Sequence, residues 1–264
     1  MRRVLLLAVA FWLAGCGPPA TANSPSATAQ PTSGPTPSPS PSAIADQDAV
    51  VGPGGMTLRQ EIGAVMMVGF KGPLTPAVLD DWRQRQFGGL IVVPINQNAQ
   101  DPAAIRQLIQ SVRSVMAHPL LAATNQEGGT VCFLETRVPC MAGARQAGPQ
   151  GPNPVRSGMT TMSQGLKALG FNINLAPVAD VWDGTHPFMS ERSYGQNPQL
   201  VAQDVTAAIA GIHAAGMYAA AKHFPGHGTA NDDSHYRLPL VSEPVATLKS
   251  RDWVPFQAVL PLAG

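Results

Sequence analysis

The 264-residue sequence has few charged residues and lacks the motifs of nucleotide-binding domains. Charged side chains make up 12% of the chain, and the formal net charge is +1. Because no basic stripe is present, the chain offers no electrostatic footprint for DNA or RNA, and nucleic acid is not expected as a partner. No GxGxxG or GxxxxGK(S/T) motif follows the first predicted strand, which argues against nucleotide binding.

The N-terminus lacks an apolar run long enough for a comfortable membrane span. Arg2-Arg3 precede an apolar run from Val4 to Ala14, which is typical of a secretory signal. The run ends at Gly15-Cys16, which resembles the lipobox of bacterial lipoproteins, where the signal is cleaved before a cysteine that receives a lipid. We therefore expect residues 1–16 to be a lipoprotein signal, and the protein to be extracytoplasmic and anchored to the cell membrane through Cys16. An ordinary signal peptide with an unrelated cysteine is the alternative.

A low-complexity segment separates this signal from the rest of the chain. Residues 17–55 are rich in Pro, Ser, Thr and Ala, and the uncharged stretch 35–42 alternates proline with Ser or Thr. This composition cannot form a core and predicts a disordered linker, which we interpret as a tether between a domain and the membrane. Residues 56–264 are long enough for one domain with a sizeable core.

Cysteine is scarce. Besides Cys16, the chain has Cys132 and Cys140. Outside the cytoplasm, two cysteines this close can form a disulfide across a small loop, and two free buried thiols are the alternative.

Apolar runs alternate with helical patterns along the domain. Strands are predicted at residues 65–70, 87–93, 119–124, 171–178 and 216–221, with helices near Leu58, after Asp101-Pro102, over 159–169 and after Asn197-Pro198. Such βα repeats build a parallel sheet, either doubly wound or closed. Polar motifs follow several strands in turn, which favours an α/β fold of the (β/α)8 TIM-barrel type with its site at the strands' carboxyl ends. A sixth strand is predicted at 258–260, just before the sequence ends, so the barrel is expected to be truncated after about five strands.

Ionisable groups are dense after the last of these strands, in Lys222–Gly228 and Asp233–His235. Glycine and proline rule out a regular helix here, and such density on a loop indicates chemistry more often than packing. A metal hydrolase is one interpretation, with ligands drawn from His223, His227, Asp233 and His235. Two histidines four residues apart suit zinc only on a helix, and Pro225-Gly226 excludes one, so no metal is expected.

The same segment, Lys222-His223-Phe224-Pro225-Gly226-His227-Gly228 with Asp233-Ser234-His235, resembles the signature of family 3 glycoside hydrolases. The branch it is most similar to contains the β-N-acetylhexosaminidases that act on bacterial cell-wall sugars. Further matching blocks lie at 62–70, 88–91, 126–129, 174–180 and 191–195, so that the resemblance covers residues 58 to 264.

The resemblance implies a retaining mechanism, without cofactor, that removes terminal β-N-acetylglucosamine from peptidoglycan-derived fragments. His235 matches the acid/base, and Asp233 matches the aspartate that orients its imidazole. Lys222, His223 and Arg192 match residues that hold sugar hydroxyls. From the residues alone, His235 could be an ordinary surface histidine, and Lys222 and Arg192 could form ion pairs. Gly226 and Gly228 are interpreted as giving the loop mobility.

Three features depart from the family pattern. Asn125 stands where members commonly have a sugar-binding aspartate, and Phe133 stands near the place of a second arginine. Asn125 is still expected to bind the substrate, with altered or weaker contacts, because it keeps the shape of the aspartate but loses its charge and half of its acceptor capacity. The family's nucleophile is an aspartate well downstream of the histidine loop, so none is expected in this chain, and Asp180 and Asp183 match a different block. A catalytically inactive sugar-binding lipoprotein is therefore an alternative. A family 3 β-glucosidase is another, against which the Asp-x-His loop argues, because other branches of the family generally use a carboxylate as acid/base. Cell-wall amino-sugar oligosaccharides are the leading partner class.

Overall fold

The computed structural model describes residues 51–52, 55–98, 101–233 and 235–262. The predicted signal peptide, its Cys16 and nearly all of the predicted linker lie outside these residues. Within the described ranges, the helices are all too short or too polar to cross a membrane.

Five short strands form one parallel sheet. Including the two strands outside this sheet, the described residues form, in chain order, β1 (Met67–Val68), β2 (Gly89–Ile91), β3 (Leu121–Thr124), β4 (Gln126–Gly128), β5 (Val131–Cys132), β6 (Ile173–Asn174) and β7 (Tyr218–Ala219). The parallel sheet has the order β1-β2-β3-β6-β7, while β4 and β5 form a separate antiparallel hairpin. The five parallel strands lie in the sheet in the order in which they occur along the chain, as in successive βα units of a TIM-type barrel, so the predicted fold class is confirmed.

Helices precede, connect and follow the strands of the parallel sheet. They are α1 (Leu58–Ala64), α2 (Pro76–Arg85), α3 (Pro102–Arg113), α4 (Ala144–Ala147), α5 (Pro152–Ala168), α6 (Pro198–Ala214), α7 (Val245–Ser250) and α8 (Trp253–Val259). Both predicted cap-plus-proline starts are confirmed. Asp101 Oδ1 accepts hydrogen bonds from Ala103 N and Ala104 N at the start of α3, and Asn197 Oδ1 does the same for the first turn of α6.

The core lies between the sheet and the apolar faces of these helices. On α3, the predicted face is buried at Ile105, Leu108, Ile109 and Val112. The predicted faces of α5 and α6 are buried as well, and these two long helices pack against each other. The 3.6-residue period of apolar positions thus located these three helices correctly.

The predicted sixth strand is wrong. Residues 253–259 form α8, and a 3₁₀ turn over Leu260–Leu262 follows it. Phe256 and Val259, three residues apart, are both buried, and α8 packs against α6. A short apolar run fits a strand and a buried helix equally well, and here the helical spacing of the buried positions decides the outcome.

Cys132 and Cys140 form a disulfide, with their Cα atoms 6.2 Å apart. The bond closes the loop that follows β5, and thereby tethers the β4–β5 hairpin. The structure thus decides between the two alternatives that the sequence left open for these cysteines.

Candidate active site

The polar segments that follow the parallel strands meet at one end of the sheet. Asn125 comes directly after β3, Asp180 follows the extension of β6, and Lys222-His223 follow β7. The last two segments are joined by backbone pairing, because Val178 bridges to Lys222 and Ala179 N donates to Lys222 O at 2.6 Å. The carboxyl ends of parallel strands share one edge, which is where a barrel of this type carries its functional groups.

Glu127, in the β4–β5 hairpin, is the acceptor for two of the predicted sugar-binding residues. Arg192 donates two hydrogen bonds to its carboxylate, from Nε to Oε2 at 2.9 Å and from Nη2 to Oε1 at 2.8 Å. Lys222 Nζ lies 2.6 Å from Oε1. The three side chains are only 6–17% exposed, so this is a partly buried ion cluster, with one carboxylate facing two cations.

Burial and the neighbouring charges shift the pKa values of Glu127 and Lys222 in opposite directions. Burial would raise the pKa of Glu127, but the hydrogen bond from Arg192 and the charge of Lys222 outweigh it and hold that pKa below its usual value. For Lys222, burial lowers the pKa, and the charge of Glu127 opposes this without cancelling it. Glu127 is therefore ionised at neutral pH and fixes the direction of both cationic side chains.

Asp180 organises the histidine segment in a similar way. Its carboxylate is fully buried and accepts from His223 N at 3.2 Å, from His223 Nδ1 at 2.6 Å and from His227 N at 2.7 Å. Because the carboxylate accepts the hydrogen bond from Nδ1–H, Nε2 of His223 is left as the ring atom available to a ligand. The His223 side chain is 36% exposed, so it remains accessible at the end of the sheet.

His227 has a more interior position than His223. Its ring is buried, and its Nε2 atom has no hydrogen-bond partner among the described residues. Burial lowers its pKa, although the charge of Asp180 opposes this. His227 is thus held as a neutral ring behind His223, with ring centroids 5.7 Å apart.

The two glycines of this segment allow close packing. A Cβ atom on Gly228 would lie 1.8 Å from the carbonyl oxygen of Val181, and one on Gly226 would lie 2.6 Å from Cβ of Asp252. Gly226 also has φ +133°, which favours glycine. The structure therefore gives both glycines a packing role beside the mobility that the sequence suggested.

Asp233 and His235 form a hydrogen-bonded pair near the cluster. His235 Nδ1 lies 2.6 Å from Asp233 Oδ1, and the His235 side chain is 75% exposed. Burial tends to raise the pKa of Asp233, but hydrogen bonds from the backbone and side chain of His235 lower it on balance. Asp233 is therefore an ionised acceptor for the imidazole, which leaves Nε2 of His235 facing outward.

Phe188 connects this pair with the rest of the site. Its ring centroid lies 6.4 Å from that of His235 and 5.2 Å from that of His227, both in edge-to-face orientation. The guanidinium carbon of Arg192 lies 5.5 Å from the same centroid. One aromatic ring thus contacts groups from the ion cluster, the histidine segment and the Asp233–His235 pair.

Asn125 is less closely integrated. Its Oδ1 is buried and has no hydrogen-bond partner among the described residues, while its backbone oxygen accepts from Phe133 N at 3.4 Å. A buried carbonyl without a donor is costly, so this atom is a natural acceptor for a ligand hydroxyl or amide.

The structure therefore brings Arg192, Lys222 and His223 together, with Asp233 and His235 adjoining through Phe188. The ion pairs that the sequence allowed for Lys222 and Arg192 do form, and both use Glu127. Sequence reasoning did not assign Glu127 or Asp180 to the site, although each stood in a polar block that follows a predicted strand. Among the residues that the structure describes, no group of three or more His, Cys, Asp or Glu side chains could hold a metal ion.

Comparison with known proteins agrees with this architecture. The profile of the glycosyl hydrolase family 3 N-terminal domain matches residues 57–264. The protein named Beta-hexosaminidase from Xylella fastidiosa (strain M12) is 32% identical over 201 residues, which cover 74% of this chain and 59% of that protein. Its namesake from Pseudomonas aeruginosa (strain LESB58) is 34% identical over 177 residues, covering 66% and 52% respectively.

A solved structure gives the same result. The family 3 β-N-acetylglucosaminidase from Paenibacillus sp. str. FPU-7 has a TM-score of 0.74 and 32% identity, and the match covers 79% of this chain and 40% of that one. The chain thus spans only 52–59% of the two curated relatives described above. On the profile match and these similarities, the chain belongs to glycosyl hydrolase family 3 and carries that family's N-terminal domain.

Proposed function

We propose that this domain supplies the sugar-binding and acid/base groups of a β-N-acetylhexosaminidase. The proposed reaction is the removal of terminal β-N-acetylglucosamine from peptidoglycan-derived fragments, with retention of configuration. The observation that carries the proposal is the convergence of Arg192 and Lys222 on Glu127, beside His223, with the Asp233–His235 pair adjoining. The name Beta-hexosaminidase of the curated relatives supports an N-acetylated amino sugar over the glucose of a β-glucosidase.

The cluster is suited to binding vicinal hydroxyl groups. An ammonium group has three donors, and one N–H of Lys222 is directed at Glu127, so others remain for a sugar. Arg192 uses Nε and Nη2 on the same carboxylate, which leaves Nη1. Nε2 of His223 and the unpaired Oδ1 of Asn125 add further polar atoms, so the site offers both donors and an acceptor.

We propose that His235 transfers the protons of both chemical steps. In the first step, Nε2 donates a proton to the leaving oxygen as the glycosidic bond breaks. In the second, it takes a proton from the attacking water. Asp233 accepts the Nδ1–H of the imidazole, so it keeps the ring oriented and stabilises the imidazolium form.

A retaining mechanism also needs a carboxylate nucleophile. Four carboxylates at this end of the sheet already have partners: Glu127 with Arg192 and Lys222, Asp180 with His223 and His227, Asp233 with His235, and Asp183 with His186 and Thr185. The curated relatives are longer than the matched region, and we propose that the nucleophile belongs to the part they have beyond it. A protein that binds cell-wall sugars without hydrolysing them is the second candidate, favoured by these occupied carboxylates.

We further propose that Cys16 is lipidated and that the protein acts outside the cytoplasm, at the membrane. The support for this is the Gly15-Cys16 lipobox after an apolar run, followed by the Pro/Ser/Thr-rich segment. Such a position would give the domain access to cell-wall fragments.

The test of the proposed function uses the full-length polypeptide and a chromogenic β-N-acetylglucosaminide. His235→Ala should lower kcat by about 10²- to 10⁴-fold, the usual contribution of a positioned acid/base. His213→Ala is the matched control, because His213 is exposed in the last turn of α6, at the opposite end of the sheet. The kcat of this control variant should equal that of the wild type. Unchanged kcat in His235→Ala would contradict the assigned role. Sugar binding without any hydrolysis by the wild type would favour the second candidate.

A further inference from the structure

Phe188 lies against the exposed His235 ring and belongs to a hydrogen-bonded segment of the backbone. It is the central residue of a 3₁₀ turn over Pro187–Met189, and Met189 is buried. Ser193 N donates to Met189 O at 2.9 Å, and Ser193 Oγ donates to Asp180 O at 2.7 Å. Ser193 therefore links the backbone next to Phe188 with the backbone of Asp180, whose buried carboxylate accepts hydrogen bonds from His223 and His227.

The segment that carries His235 is bonded mainly to itself. Tyr236 N and Arg237 N both donate to Asp233 O, at 3.0 and 3.1 Å, and His235 N donates to Asp233 Oδ1 at 2.8 Å. These bonds fix the shape of the turn but not its place on the domain. Among the contacts described for His235, the one that reaches outside this turn is the contact with the Phe188 ring.

We propose that Phe188 is a positioning residue that holds His235 in place over the sugar-binding cluster. The inference deepens the proposed function and rests on it for the role of His235. The edge-to-face geometry supports it, since such ring pairs are favourable at centroid distances of about 4.5–7 Å. The Arg192 guanidinium lies over the same ring, so Phe188 sets the spacing between a sugar-binding group and the acid/base.

The kinetic test compares leaving groups in the full-length polypeptide. Departure of an alkoxide, as from a methyl β-N-acetylglucosaminide or a disaccharide, needs a proton from His235, whereas 2,4-dinitrophenolate departs without one. Phe188→Ala should lower kcat/KM for the poor leaving group by about tenfold, the effect of losing one aromatic pair, and should change kcat/KM for the dinitrophenyl substrate little. The ratio kcat/KM is compared because it reports the first chemical step, whereas kcat also reports the second step, in which His235 is the proposed base. Phe188→Tyr keeps the ring and should retain wild-type behaviour. An equal loss for both substrates would indicate a general packing defect and overturn the proposal.

A second measurement does not depend on hydrolysis. In the protein itself, NMR should detect a nuclear Overhauser effect between the Phe188 and His235 rings, and Phe188→Ala should lower the backbone order parameters of residues 235–237. Absence of the ring contact, or order parameters unchanged in Phe188→Ala, would overturn the positioning role. If the ring contact and the loss of order are found but the wild type hydrolyses no β-N-acetylglucosaminide, the proposed function fails while the positioning of His235 by Phe188 stands.

Discussion

Two buried carboxylates of this domain are stabilised to very different degrees. Glu127 faces two cations, which keep its pKa low in spite of burial. Asp204, on α6, is 3% exposed, and burial raises its pKa to about 6. Ionised Glu127 is therefore stabilised by Arg192 and Lys222, whereas ionisation of Asp204 destabilises the folded state.

The stability of the domain should consequently depend on the protonation of Asp204. A carboxyl group whose pKa is raised on folding favours the folded state fully below its unfolded pKa of 3.8, and that contribution is lost as pH rises through about 6. A shift of about two units corresponds to at most about 3 kcal/mol. Asp204→Asn should therefore raise the free energy of unfolding at pH 7, and flatten its change between pH 4 and 6, as measured by urea denaturation.

Asp80→Asn provides the control for this prediction. Asp80 lies on α2, is 59% exposed and pairs with Arg83, and such exposed pairs contribute less than about 1 kcal/mol. A lower stability of Asp204→Asn than of wild type at pH 7 would show that the ionised Asp204 carboxylate is stabilised by its surroundings.

At the scale of elements, the β4–β5 hairpin depends on a covalent bond. It carries Glu127 but consists of two very short strands, and the Cys132–Cys140 disulfide closes the loop behind it. A disulfide across a loop of this size stabilises by about 2–3 kcal/mol. We expect the Cys132→Ser/Cys140→Ser variant to lose about that much stability, and to bind N-acetylglucosamine more weakly because Glu127 is held less firmly. Thermal denaturation and calorimetric titration would measure the two effects.

A reductant separates this effect from the serine substitutions themselves. Dithiothreitol should lower the melting temperature of the wild type towards that of the double variant, and should leave the double variant unchanged. A wild-type melting temperature that does not respond to full reduction would contradict the stabilising role of the disulfide.

Element prediction from the sequence succeeded where apolar residues recur with a clear period. The helices α3, α5 and α6 have such faces and were found, and the caps at Asp101 and Asn197 marked two of their starts. Helix α2 was missed, although Thr75-Pro76 is a cap-plus-proline start of the same kind, because it buries only Trp82 fully. The α8 segment was misassigned because its apolar run is too short to reveal a period.

At the scale of the whole molecule, the proposed lipid anchor is tested by partition. After expression in a bacterium that processes lipoproteins, the wild type should enter the detergent phase of a Triton X-114 extraction, and Cys16→Ser should remain in the aqueous phase. Cys140→Ser removes a cysteine but keeps Gly15-Cys16, so it should partition like the wild type. A wild type found in the aqueous phase would show that Cys16 carries no lipid.

The composition of the site shows why part of it escaped sequence reasoning. One short stretch of the sequence contains Lys222, His223, Asp233 and His235, and its high density of ionisable residues indicates a site. Glu127, the partner of Arg192 and Lys222, and Asp180, the acceptor for His223, come from other strand ends. Phe188 comes from a 3₁₀ turn, and an aromatic residue there does not indicate a site. Only the folded sheet reveals which acceptor serves which donor.

The contacts of Asp180 have a practical consequence for anyone wishing to move this site into another barrel. The carboxylate holds His223 and His227 from the neighbouring strand end, at 2.6 Å to a ring nitrogen and 2.7 Å to a backbone nitrogen. A graft of residues 222–228 alone would transfer both histidines without Asp180, the carboxylate that fixes their positions. The smallest transplantable unit is a pair of adjacent strand ends, because libraries that recombine loops one at a time would separate these histidines from the carboxylate that binds them.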